Sequence, residues 1–257
     1  MRRTIVAALT ALLGLAPAAP AAAEAVDVEL VLAADGSGSI DDDELAFQRR
    51  GYAEAVTSAE VLGVIRDGIH GAIAVAYIEW GGPVSQHTIV DWTVIRDAAS
   101  AAAFAEALVT RPRAAFGYNS ISAAIDYSVH KLETNAHEGI RRVIDVSGDG
   151  PNIGGRAVTD ARDDAVAKGI VINGLVIQRP GGQPRIVGRT PLSLVYEQQV
   201  IGGPASFVMI ADERVSFADA VRRKMVLEIA GRVPDGGGRR LAAGDRREDA
   251  AGMVAVE

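Results

Sequence analysis

Asp35, Ser37 and Ser39 stand at alternate positions in the stretch Asp-Gly-Ser-Gly-Ser. One carboxylate and two hydroxyls this close in sequence are hard oxygen donors, which suit a small divalent cation. The stretch follows the apolar run Val26–Ala34 and precedes an acidic helix start at Asp41, so it belongs to the carboxyl end of a strand. A second acid, Asp149 in Gly-Asp-Gly-Pro, follows the apolar run Arg142–Ser147 in the same way. A third contribution comes from the loop Phe116–Ser120 ahead of a helical pattern, where Asn119 offers an amide oxygen and Ser120 a hydroxyl. Ligands of open parallel sheets bind outside the carboxyl ends of the strands, where strand order reverses. If the strands ending at Asp35 and Ser147 flank that point, both carboxylates reach one crevice.

The charge count bears on function. Two carboxylates leave a divalent cation near-neutral and still electrophilic, able to take a carboxylate from outside as its last ligand. Four acidic ligands would repel such a partner. Octahedral geometry with several waters favours Mg2+, with Mn2+ or Ca2+ as alternatives.

The elements that must position these residues alternate along the chain. Predicted strands are Val26–Ala34, Ala72–Trp80, His87–Trp92, Arg142–Ser147, Ile170–Ile177 and Ser206–Ile210. Predicted helices are Asp42–Thr57, Ala59–Arg66, Ala98–Leu108, Ser120–Leu132, Ala157–Lys168, Pro191–Val200 and Phe217–Ala230. Near-continuous apolar strands suit a sheet covered on both faces, and strand–helix alternation gives a parallel one. The Gly-Gly-Pro turn after Trp80 is too short for a parallel crossover, so the next strand pairs as a hairpin. The predicted fold class is α/β, a doubly wound, mostly parallel sheet with one antiparallel edge strand. Arg179–Arg189 reads as a Gly/Pro-rich surface loop.

The chain has 257 residues, 49% of them hydrophobic, which suits a single domain with a well-buried core. Residues 1–23 have a signal peptide's pattern: Arg2 and Arg3, an apolar Ile5–Leu15, then an Ala/Pro-rich exit. Residues 24–233 form the domain, and 234–257 read as a disordered Gly-, Ala- and Arg-rich tail. The expected location is periplasmic or secreted, with no membrane span after signal removal. Cysteine is absent, which removes disulfides, thiol catalysis and thiolate metal sites. A net charge of −7 argues against nucleic acid as a partner.

Asp35-Gly-Ser37-Gly-Ser39 resembles the DxSxS signature of the von Willebrand factor A domain superfamily. The stretches Tyr77–Trp80, Arg142–Gly150, Gly169–Gly174, Val200–Gly203 and Arg223–Ile229 resemble an exported bacterial branch of it. The resemblance implies a von Willebrand factor A-like Rossmannoid with a metal-ion-dependent adhesion site that binds partner carboxylates. It makes Asp35, Ser37 and Ser39 first-loop ligands and Asp149 the third-loop acid. The second-loop position, usually Thr, falls on Asn119, with Ser120 or a water as the alternative. The function it implies is a non-enzymatic binding module whose protein partner presents an acidic side chain.

Blander and rival readings stand beside this one. Ser39 and Asp41 alone would suffice to cap a helix. Asp41–Glu44 lacks the spaced donors of a calcium loop and needs only the helix dipole. A metal-assisted phosphoryl hydrolase is the enzymatic alternative, but it needs a second acid two residues after Asp35, where Ser37 stands. Dinucleotide binding fails because Asp41 takes the third glycine position. The four histidines lack zinc spacing. Asp145 reads as a paired core carboxylate facing away from its strand neighbours. Trp80 and Trp92 are expected to face each other across the hairpin and pack.

Overall fold

The computed structural model describes residues 23–178, 185–211 and 216–234. The first half of the chain forms β1 (Glu24–Asp35), α1 (Asp42–Val56), α2 (Ala59–Arg66), β2 (Ile73–Trp80), β3 (Gln86–Ile95), α3 (Ala98–Thr110) and α4 (Ile121–Glu133). The second half forms β4 (His137–Gly148), α5 (Val158–Ala167), β5 (Ile170–Ile177), β6 (Ile186–Val187), β7 (Thr190–Pro191), α6 (Leu192–Val195), β8 (Val208–Ala211) and α7 (Phe217–Ala230). The six-stranded sheet runs β3-β2-β1-β4-β5-β8. All its pairings are parallel except β2 with β3, the antiparallel edge that the short turn required.

Alternation along the central strands divides the core into two layers. Val28, Leu30 and Leu32 of β1 pack with Tyr52 of α1, Phe104 of α3 and Met225 of α7. Val31 and Ala33 point the other way, to Ile121 and Ile125 of α4, Ala161 of α5 and Tyr196 beyond α6. Strands buried on both faces have no polar side to show, hence their continuous apolar runs. Helix α1 begins at a capping box, in which Asp41 accepts from the Glu44 N–H at 2.8 Å and Glu44 accepts from the Asp41 N–H at 3.1 Å.

Several expectations need correction. Strand β4 begins five residues early, at His137, because its polar first half pairs with Glu24–Val28 of β1. The predicted loop over 179–189 holds β6, which pairs with β7 just after it, while 179–184 fall outside the described residues. The helix expected over 191–200 is four α-helical residues followed by a π turn, Tyr196–Val200. Trp80 is buried and donates its indole N–H to the Ala33 carbonyl, whereas Trp92 lies edge-on to His137. The expected signal peptide and tail also fall outside the described residues, apart from Ala23 and Pro234.

Candidate metal centre

Strand order reverses between β1 and β4, which are neighbours and run parallel. The loops after their carboxyl ends therefore open on one crevice. Asp35, the last residue of β1, is fully buried, as is Ser37, while Ser39 is exposed at the crevice mouth. Asp35 Oδ1 accepts from the Ser37 N–H at 2.8 Å, an Asx-type turn that bends the chain out of the strand. Ser37 Oγ lies 3.1 Å from Ser39 Oγ, and Ser39 donates to Asp149 Oδ1 at 3.1 Å. The oxygens of positions 35, 37, 39 and 149 thus form one connected set.

Asn119 touches this set through its amide nitrogen, and Ser120 points elsewhere. The Asn119 side-chain amide reaches Asp35 Oδ2 at 3.4 Å, whereas the Ser120 hydroxyl turns away to the Gly154 carbonyl at 2.9 Å. The Asn119 carbonyl accepts from the Ile153 and Gly154 N–H groups, tying the second loop to the third. Asn152 of the third loop accepts from the Ser122 N–H at 2.9 Å and caps α4.

Burial pushes the Asp35 carboxyl up to about 7; hydrogen bonds from Ser37 oppose this, and the charge of Asp149 adds to it. Its Oδ2 is met at 3.4 Å by the Asn119 amide nitrogen and by the Asp149 N–H. A buried carboxylate with long contacts on one oxygen, beside a second carboxylate and two hydroxyls, is a donor set a hard cation satisfies. Among the described residues no three His, Cys, Asp or Glu side chains cluster as metal ligands, so any ion here relies on mixed oxygen donors.

Three supporting residues escaped sequence reasoning. Arg113, between α3 and α4, donates through Nη2 to the carbonyls of Gly36 at 2.8 Å and Ser37 at 3.0 Å, and through Nη1 to Asp42 at 2.9 Å. Arg185 pairs with Asp149 at 3.1 Å. Tyr196, fully buried on the π turn, donates to the Gly150 carbonyl at 3.2 Å and buttresses the third loop. A lone arginine in a loop and a tyrosine in a helical pattern carry no spacing signal. A third buried acid, Glu79 at the end of β2, is paired with Arg49 at 2.6 Å and is not part of the set.

Backbone packing is tight below the crevice. A Cβ at Gly148 would lie 2.8 Å from Tyr196 Oη and 3.1 Å from Asp35 Oδ2, so only glycine lets β4 pass this close.

A family model described as a protein of unknown function (DUF1194) matches residues 25–233. No curated protein matches the chain. Among solved structures, the pilus adhesin SpaC from Lactobacillus rhamnosus GG is similar with a TM-score of 0.55 and 14% identity, over 82% of this chain and 31% of that one. Proximal thread matrix protein 1 from the mussel byssus, whose structure has a zinc-occupied MIDAS motif, is similar with a TM-score of 0.54 and 13% identity, over 79% and 46%. A von Willebrand factor type A protein from Catenulispora acidiphila gives a TM-score of 0.54 and 15% identity, over 80% and 43%. The chain spans less than half the length of each. At such identity the likeness shows the fold, a von Willebrand factor A-like Rossmannoid.

Proposed function

The chain belongs to the DUF1194 family, a membership that states no activity, and we propose that it is a metal-dependent protein-binding module that grips a partner carboxylate. Asp35, Ser37, Ser39, Asn119 and Asp149 would hold the ion, Mg2+ first and Mn2+ or Ca2+ as substitutes. A bound divalent cation would supply an electrophilic centre for one carboxylate oxygen from outside. The observation that carries this reading is the connected oxygen set across the reversal point of the sheet.

This chain's own residues do the rest. Asp35 supplies the buried charge, and the Ser37 N–H fixes its carboxylate plane. Ser39 presents its hydroxyl at the mouth, where a partner enters. Arg113 clamps the first loop from outside. No second acid stands two residues beyond Asp35 for phosphoryl transfer, so the reading is non-enzymatic. The leader-like pattern in residues 1–23 supports action in the periplasm or outside the cell. A zinc-occupied MIDAS motif in the mussel matrix protein and the adhesin role of SpaC lend support from the same fold.

The test is thermal melting of the full chain in EDTA and in excess Mg2+ or Mn2+. At about 100 times the dissociation constant the ion adds roughly 2.7 kcal/mol, a rise of about 5–10 °C for a domain this size. Asp35→Ala should fold and lose the rise. An ion response that survives this substitution ends the proposal, and Asp35-dependent turnover of phosphoesters replaces it with the hydrolase.

A further inference from the structure

Three loops beside the oxygen set share one composition. Gly81–Ser85, Phe116–Ser120 and Gly150–Gly154 contain no charged side chain, although 23% of the whole chain is charged. They expose large apolar groups instead: Val84 at 95%, Phe116 at 66%, Tyr118 at 79% and Ile153 at 62%.

The loops are fastened to one another. The Gly82 N–H donates to the Phe116 carbonyl at 2.9 Å, the Ser120 N–H to the Gly81 carbonyl at 2.8 Å, and the Ile153 N–H to the Asn119 carbonyl at 2.8 Å. The Phe116 N–H donates to the Ser85 hydroxyl at 3.0 Å. A Cβ at Gly81 would sit 2.2 Å from the Phe116 carbonyl oxygen, so the two loops meet only because that residue is glycine. Exposed apolar groups on a rigid backbone form a preorganised contact surface, which lowers the entropy cost of docking.

We infer that these loops form an apolar shelf against which a protein partner lays bulky apolar side chains flanking the carboxylate that the crevice takes. This rests on the metal-dependent reading above and names the partner's chemistry. Charge favours it: no acid on the shelf opposes an incoming carboxylate, and Arg185 offsets the charge of Asp149 beside it. Many shelf backbone groups are already spent on each other, so recognition runs through side chains rather than by adding a strand.

The experiment pans a random peptide library against the full chain in Mg2+ and elutes with EDTA. Selected peptides should carry an Asp or Glu with Leu, Ile, Phe or Trp within two positions. A synthetic peptide of that kind should bind about 10-fold tighter than one with Ser and Gly at those flanks. The Phe116→Ser/Tyr118→Ser variant, altered only at exposed positions, should lose that advantage and keep its Mg2+-induced rise in melting temperature. Acidic peptides without apolar flanks, or equal binding by the double variant, overturn the shelf alone. Mg2+-dependent self-association abolished by the double variant assigns the shelf to a second copy and also overturns it. A wild-type chain with no ion response overturns shelf and metal site together.

Discussion

The peptide N–H of Asp149 lies 3.4 Å from Oδ2 of Asp35, although 114 positions separate them. That approach puts the first strand's acid and the third loop's acid on one buried spot. Burial pushes the Asp35 carboxyl from 3.8 up to about 7; the Asp149 charge adds to this, while the Asp149 N–H opposes it.

In EDTA the folded chain therefore holds a proton on Asp35 that the unfolded chain has released between about pH 4 and 7. Stability from this group is full below the unfolded value and falls as pH rises through the folded one. Asp35→Asn keeps the shape without the charge. In urea unfolding it should match wild type near pH 4 and exceed it at pH 8, by up to about 4 kcal/mol. Excess Mg2+ at pH 8 should narrow the gap, by roughly 2.7 kcal/mol at about 100 times the dissociation constant. A gap that widens on acidification contradicts the assignment.

Arg113 holds the first loop by its backbone carbonyls, so its removal should loosen the donor set without emptying the core. Arg113→Met is expected to cost about 1–2 kcal/mol, the size of a few charge-assisted hydrogen bonds partly exposed to water. The Mg2+ concentration for half-maximal stabilisation should rise about 10-fold, as when a residue orienting metal ligands is lost. Calorimetric titration of ion into each chain reads this directly; an unchanged midpoint means the loop keeps its shape unaided.

Gly148→Ala places a methyl against Tyr196 Oη and Asp35 Oδ2 at once. Overpacking of this kind costs about 1–3 kcal/mol, and the displaced carboxylate should no longer answer to Mg2+. Adding Tyr196→Phe removes the closer of the two contacts. It should restore part of the stability but none of the ion response, as followed by urea melts with and without Mg2+. Full recovery of both would mean that Asp35 tolerates the methyl.

Sequence patterns revealed what repeats or alternates, and little else. The apolar runs ending at Asp35 and Ser147 fix β1 and β4 because a strand buried on both faces admits few polar residues. The Gly-Gly-Pro turn likewise fixed the antiparallel edge. Residues 35, 37, 39 and 149 come together because each follows such a strand. The clamp by Arg113, the pairing of Arg185 and the buttress of Tyr196 depend on loop paths and on a π turn, which no periodicity encodes. The early start of β4 was hidden because its first residues lie near the sheet end, where polar side chains reach water.

Asp145 is the acid whose role was read from strand alternation alone. It faces α7, where Lys224 Nζ lies 2.7 Å from its Oδ1 and also binds Glu228, which accepts from the Asn173 amide at 2.9 Å. All three charged groups are buried. One lysine faces two carboxyls, so burial pushes Glu228 up to about 7 and raises Asp145 as well, with Lys224 opposing both. Lys224→Met should cost about 3–5 kcal/mol, because it strands buried carboxylates rather than merely deleting a contact. The loss should be larger at pH 8 than at pH 5, where the carboxyls take up protons and need no counter-charge. Adding Asp145→Asn and Glu228→Gln should recover much of the stability and flatten that pH dependence in urea unfolding. A loss equal at both pH values would show that the lysine's stem, and not its charge, holds α7 to the sheet.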